Sequence, residues 1–225
     1  MTYERIAAEI NSASFAVLGS FHPGPDDRVP GEAGTLVLIG NAGPDMWRRF
    51  SSERGDSSTT MDSWTQQVLG ALAADLGGTM LFPFAKPPLP FLRWAQRAKA
   101  GFVSPLGLNI HPEYGLWHAF RGALVLPQVL DLPPPSSEPH PCESCIEKPC
   151  LNTCPVEAFG GGAYDVDGCA AHISTPAGAD CLTNGCRARR ACPVGPGHHY
   201  LPEQANFHMS AFLAARLEAP TRSSE

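Results

Sequence analysis

Eight cysteines are the residues of this chain with the most specific chemistry, and all of them fall between Cys142 and Cys192. The first run, PCESCIEKPCLNTCPVEAF from Pro141, places Cys142, Cys145, Cys150 and Cys154 in one short stretch, the last followed by Pro155. Cys181, Cys186 and Cys192 repeat the idea with gaps of four and five residues, again ending in Cys-Pro at Pro193, and Cys169 stands between the runs. Two sulfur-rich halves, each closed by Cys-Pro, are the pattern of a chain that holds two 4Fe-4S cubane clusters. One tight loop can wrap three corners of a cubane while its fourth cysteine points away, so the two halves exchange ligands. On that reading Cys142, Cys145, Cys150 and Cys192 hold one cluster, and Cys154, Cys169, Cys181 and Cys186 hold the other, with no sulfur spare.

Zinc is the main rival, since two four-cysteine sites would also consume eight sulfurs. Zinc modules usually show separate CxxC knuckles, and only one CxxC occurs here. Four disulfides are the remaining alternative, disfavoured in a reducing compartment. Lys148 in the first run and Arg187, Arg189 and Arg190 in the second offer two readings. They offset the negative charge of thiolate-ligated clusters, or they form a solvated basic surface.

The elements that must position these sulfurs are set by a chain of 225 residues, 43% hydrophobic, enough for one large or two small domains with a core. A net charge of -6 argues against general affinity for phosphate backbones, so nucleic acid is not an expected partner. The start, MTYERIAAEINSASFAVLGSF, lacks the basic and apolar regions of a secretory signal. No stretch reaches the roughly 18 apolar residues of a membrane span, so the expectation is a cytoplasmic protein.

The first 141 residues hold no cysteine, and DLPPPSSEPHP from Asp131 to Pro141 reads as an extended connector. The expected division is 1–130 as an α/β domain, 131–141 as connector, and 142–225 as the cysteine domain closed by a helix. In GTLVLIGNAGPDMWRRF, the run Leu36 to Ile39 predicts a buried strand, then a turn at Gly40 and Gly43, then a helix from Pro44. A phosphate at that helix start is the lesser alternative, because the full GxGxxG spacing is missing. From an N-cap at Asp62, Trp64, Val68, Leu72 and Leu76 predict a helix with one buried face. Prolines 83, 87, 88 and 90 break regular structure before a short helix around Phe91 to Ala98. PLGLNIHPEYGLWHAFRGALVLP predicts a strand pair closed by a turn at Glu113 to Gly115, and Pro202 to Arg216 a closing helix on one of the domains.

The segment from Cys142 to Pro193, with the isolated cysteine in DVDGCAAHI, resembles the dicluster ferredoxin domain that closes epoxyqueuosine reductase and the reductive dehalogenases. Its gaps are longer than the usual CxxCxxCxxxCP. The N-terminal part, in IHPEYGLWHAFRGALVLP with LDLPPP and more loosely in GTLVLIGNAGPDMW, resembles the CblC type of cobalamin-processing protein. The resemblances imply an α+β chain: a nitroreductase-like α/β domain that carries a corrinoid, followed by a bacterial-type dicluster ferredoxin domain. They also imply that His111, Tyr114, Trp117 and Arg121, with His118 among them, line a cofactor pocket. The plain structural account makes these residues the turn and flanks of a strand pair, His111 being a satisfied turn histidine. No catalytic acid is assignable.

Three functions are expected from these readings. The first is a redox protein whose two 4Fe-4S clusters pass electrons from a partner protein to a site in the N-terminal domain, a corrinoid-linked oxidoreductase if cobalamin binds there. The second is a ferredoxin-like carrier without chemistry of its own, docking to a partner reductase. The third is a pair of metal centres that only staple a small region.

Overall fold

A computed structural model describes residues 1–55, 58–135 and 137–218. Position 136 of the expected connector and residues 219–225 of the expected cysteine domain lie outside the described residues. The first part runs α1 (Tyr3–Ser12), β1 (Ala16–Phe21), β2 (Thr35–Ala42), α2 (Asp45–Glu53), α3 (Met61–Asp75), β3 (Thr79–Leu81) and α4 (Phe91–Arg97). It continues with β4 (Phe102–Val103), β5 (Asn109–Ile110) and β6 (His118–Leu126). An antiparallel sheet of order β1-β2-β6-β3 forms its centre.

Both faces of that sheet are covered, which is why the Leu36 to Ile39 run is apolar without alternation. Val37, Ile39, Leu124 and Leu126 face Ile6, Trp47, Phe50 and Leu69 from α1, α2 and α3. Leu36, Leu38 and Val125 face Phe91, Trp94 and Ala95 of α4. Helix α3 is capped by Thr60, whose Oγ1 accepts from the Ser63 amide at 3.1 Å, and not by Asp62. Its buried stripe is Trp64, Leu69, Ala73 and Leu76, with Val68 and Leu72 only partly covered. Four-residue steps drift about 40° around a 3.6-residue helix, so a strict every-fourth reading leaves the core face.

The expected strand pair around PEYG does not form. β5 pairs with β4, and β6 runs instead between β2 and β3. Only a single bridge, His111 with Gly115, closes the turn itself. Eight residues of β6 find partners on β2, from Thr35 opposite Leu126 to Ala42 opposite His118, and that long-range pairing outweighs a local hairpin. Gly40 belongs to β2 and not to the turn: a Cβ there would stand 2.2 Å from the Ala119 carbonyl oxygen.

Two bulges interrupt the sheet ladder. In β1 the register skips Leu18, and in β6 it steps from Gly122 to Phe120, leaving Arg121 as the extra residue. A bulge leaves a residue outside the ladder and re-aims its side chain or carbonyl.

After Leu126 the described residues contain helices and turns but no strand: α5 (Pro149–Asn152), α6 (Val166–Ile173), α7 (Ala179–Asn184), α8 (Arg187–Arg190) and α9 (Pro202–Glu218). A ferredoxin-type domain is therefore not evident in this region, which is helical. Helix α9 packs on both parts of the chain, not on one. Asn206 Nδ2 donates to the Leu182 carbonyl of α7 at 3.2 Å, while the Phe207 ring packs at a tilt against Trp47 of α2, centroids 5.1 Å apart, and Gln204 donates to the Gly43 carbonyl at 3.3 Å. Among the described residues no helix is long and apolar enough to cross a membrane.

Candidate functional site

All eight cysteines are free thiols. Their mutual electrostatic influence sorts them into two groups. Cys142 is acted on by Cys192, Cys150 and Cys145, Cys150 by Cys192 and Cys145, and Cys192 by Cys145. Cys169 is acted on by Cys154 and Cys181, and Cys186 by Cys181 and Cys169. Among the described residues no group of three or more His, Cys, Asp or Glu side chains is drawn together around a point as ligands of a metal ion.

The second group surrounds a void instead. Cys154, Cys169, Cys181 and Cys186 line about 310 Å³ of atom-free space, mouth included, walled by Phe159, Ile173, Ala188 and Met209. The space is narrow, with room at its centre for barely one water. Cys142, Cys150 and Cys192 are packed among Leu106, Ile110, Leu116 and Val194 of an apolar cluster that Cys154 and Cys186 also touch. Burial raises the thiol pKa in both groups, and at Cys142 burial first and the neighbouring sulfurs after it push it up to about 11. Four thiolates this close repel one another unless a cationic centre neutralises them, and a metal centre inverts that balance. The donor set therefore suits a metal centre.

The three arginines of the second run divide. Arg187 and Arg190 both reach Asp180, at 2.6 and 2.5 Å. The Arg187 hydrogen bond, with Asn184 and Arg190 behind it, holds the Asp180 carboxyl below the usual range. Arg189 points the other way: its Nε and Nη2 donate to the Leu116 carbonyl at 2.8 and 2.5 Å, and its guanidinium lies over Trp117 and Tyr200 at 4.7 and 4.5 Å.

The chain following Cys192 crosses the turn before β6 backbone on backbone. Gly115 has φ +57, and a Cβ there would stand 2.0 Å from the Val194 carbonyl oxygen; Gly195 has φ +67, its Cβ site 2.6 Å from the Tyr114 carbonyl carbon. Both positions need glycine for conformation and for closeness. Gly115→Val is expected to lower the unfolding free energy by about 2–5 kcal/mol, from left-handed strain plus overpacking. A urea midpoint indistinguishable from that of the unaltered protein would contradict this crossing.

The residues named as a cofactor pocket do not share one cavity. His111 lines a cavity of about 370 Å³ with Lys99 and Pro133 to Pro135, and Tyr114 one of about 620 Å³ with Asp45, Arg49 and His198. His111 is the satisfied turn histidine: Nε2 donates to the bulged Leu18 carbonyl at 3.1 Å, while Nδ1 accepts from the Glu113 and Tyr114 amides. Burial lowers its pKa, and neither nitrogen is free to bind a ligand. Trp117 is buried against His199, ring centroids 4.3 Å apart, and its Nε1 has no partner.

Arg121 and His118 do converge, on a third cleft of about 380 Å³ shared with Asn109, Arg189, Tyr200 and His208. Arg121 Nε donates to Asn41 Oδ1 at 3.0 Å, and Asn41 Nδ2 donates to the Tyr200 hydroxyl at 2.7 Å. His118 Nδ1 donates to the Gly115 carbonyl at 3.1 Å, and its Nε2 stands 3.1 Å from the Asn109 side-chain amide. Burial pushes His118 down to about 3, with His111 and Arg189 adding to it, and burial with Arg121 and Arg189 does the same to His208. Both imidazoles are neutral at neutral pH. Sequence reasoning missed Asn41, Tyr200 and His208, which lie far apart along the chain; only the shared cleft connects them. Gly43, the candidate phosphate-turn residue, gives its amide to the Trp117 carbonyl at 3.0 Å.

No protein-family profile matches the chain, and no curated protein sequence does. Solved structures do. Epoxyqueuosine reductase from Streptococcus thermophilus aligns with TM-score 0.53 and 17% identity over 91% of this chain and 70% of that one. An epoxyqueuosine reductase crystallised with an epoxyqueuosine-modified tRNA-Tyr stem loop aligns with TM-score 0.52 and 17% identity over 90% and 69%. The C. elegans B12-trafficking protein CblC aligns with TM-score 0.53 and 15% identity over 99% and 98%. At these identities the likeness is one of fold: the chain has a mixed helix-and-sheet architecture similar to both epoxyqueuosine reductase and CblC.

Proposed function

We propose that this chain is an iron-sulfur redox protein that carries two 4Fe-4S clusters and delivers electrons to the cleft of His118, Arg121 and Arg189. The observation that carries this reading is that Cys154, Cys169, Cys181 and Cys186 line one space, while Cys142, Cys145, Cys150 and Cys192 act electrostatically on one another. The shared space supports a common centre for the second four.

Bound to these sulfurs, the clusters supply one-electron transfer at low potential. The protein's own residues set its direction. Cys192 precedes the Val194–Gly195 crossing that touches Tyr114 and Gly115, so the first four adjoins the N-terminal part and the second four serves electron entry. Apolar walls of Phe159, Ile173 and Met209 exclude water from the second four. At the cleft, burial disfavours the protonated form of His118, and the hydrogen bond from its Nδ1 to the Gly115 carbonyl orients the ring.

The fold shared with a B12-trafficking protein supports a corrinoid as the electron acceptor. The cleft, at about 380 Å³, has the size of a small-ligand pocket, typically about 300–1,000 Å³. An epoxyqueuosine reductase of the same fold holds a tRNA stem loop, so net charge alone carries no exclusion of RNA here.

Anaerobically purified protein is expected to contain about eight irons and eight sulfides per chain, with visible absorption bleached by reductant. Two zinc ions in their place would end this reading. Retention of added cobalamin through gel filtration, and its reduction by the reduced protein, separate a corrinoid reductase from an electron carrier that docks to a partner reductase.

A further inference from the structure

Arg189 touches both cysteine groups and the cleft. Its backbone amide, with that of Ala188, acts on the Cys186 sulfur, and its carbonyl accepts from the Cys192 amide at 3.3 Å. Its guanidinium crosses to the N-terminal part, bonds the Leu116 carbonyl and walls the cleft. Arg121 faces the same cleft from its bulge.

This cleft collects positive charge in an acidic chain. Neither arginine has an ion-pair partner among the described residues, and no Asp or Glu lines the cleft. Asp62 acts on Arg121 only as the weakest of its influences, beyond ion-pair reach. The remaining polar walls, Asn109, His118, Tyr200 and His208, are neutral, and the buried Nε2 of His208 has no partner. Two guanidiniums placed in a walled cleft with no counter-charge are costly unless an anion completes them.

We infer that the cleft binds an oxyanion, the carboxylate or phosphate of the substrate, between Arg121 and Arg189, and that this binding is linked through Arg189 to the oxidation state of the clusters. The inference rests on the proposed clusters. Reducing a cluster adds one electron and one negative charge, with no bond made or broken and no proton moved. Arg189 is then shared between the reduced centre and the anion, so each weakens the other. By reciprocity, an oxyanion that binds the oxidised protein more tightly must also lower the reduction potential of the cluster it senses. Delivery of the electron would thus loosen the anion and assist release.

The test uses the complete chain with its clusters, iron content measured first, and photochemical reduction so that no oxyanionic reductant is added. Inorganic phosphate and acetate are titrated by calorimetry into the oxidised and reduced protein. The expected result is binding at least tenfold tighter to the oxidised form, mirrored by a fall of about 59 mV in one cluster potential at saturating anion, the one-electron equivalent of tenfold. The tighter of the two probes assigns the oxyanion type. Arg121→Met and Arg189→Met are each expected to lose binding, and with it the anion-induced shift in potential. Equal affinity in both states, or no binding of either probe to iron-replete protein, overturns the inference while the cluster reading stands. Protein without iron overturns both.

Discussion

Alanine at both Cys150 and Cys192 is expected to cost the protein one cluster, about four irons of eight, whereas alanine at both Cys150 and Cys154 costs both clusters. The pairing looks inverted along the chain, because Cys150 and Cys154 are neighbours and Cys192 is distant. It stems from the two groups: Cys150 and Cys192 influence each other directly, and Cys154 belongs with Cys169. Losing a second ligand from a cluster already lost adds nothing, so the effects within one group are strongly non-additive. Iron analysis and electron paramagnetic resonance of the reduced variants read the outcome. If the sequence-adjacent pair retained half the iron and the distant pair retained none, the ligands would be grouped run by run and the crossing would be wrong. Each variant also loses a fastening between the runs, so a lower melting temperature is expected alongside, by a mechanism shared with other metal-stapled regions.

Acid is expected to destabilise the protein through His118, ahead of its carboxylates. The folded-state pKa of His118 is pushed down to about 3, chiefly by burial, against an unfolded value near 6.5. A depressed histidine is neutral in the fold and protonated in the unfolded chain once pH falls below 6.5. Its contribution is fully present above that pH and is lost as pH drops towards 3. Between pH 6.5 and 4.5 the loss is about 2–3 kcal/mol for this one group. His208, held down by burial and by Arg121 and Arg189, pulls in the same direction. The check is urea unfolding at pH 7.5, 5.5 and 4.5 for the unaltered protein and for His118→Asn, which keeps a polar group beside Asn109 but cannot titrate. The slope of stability with pH is expected to be shallower in the variant by up to about 1.4 kcal/mol per pH unit. Parallel slopes would mean that His118 reaches water. Asp180, tied to Arg187 and Arg190 at the surface, is common to both proteins and cancels in the comparison.

The site outside the cysteines was only half legible. Arg121 and His118 line one cleft, but His111 spends both nitrogens on backbone groups and Tyr114 opens on another cavity. Alternation of apolar residues cannot reveal a bulge, and the one in β6 is what frees Arg121 from the ladder. Arg189 read naturally as one of three charges beside the clusters. Asp180 claims the other two, leaving Arg189 to cross to Leu116.

Residue spacing by itself determined the buried strand at Leu36 to Ile39, the helix that carries Trp64, the helix from Pro202, and the short helix after the proline run. These are local matters, set by side-chain period and the conformational limits of proline. Tertiary structure alone decided that β6 abandons its neighbour β5 for β2, that α9 seals both parts of the chain, and that two arginines from opposite halves meet without a counter-ion. Such outcomes depend on which distant surfaces offer the longer ladder, the larger apolar contact or the nearer carboxylate, and a linear pattern does not carry those distances.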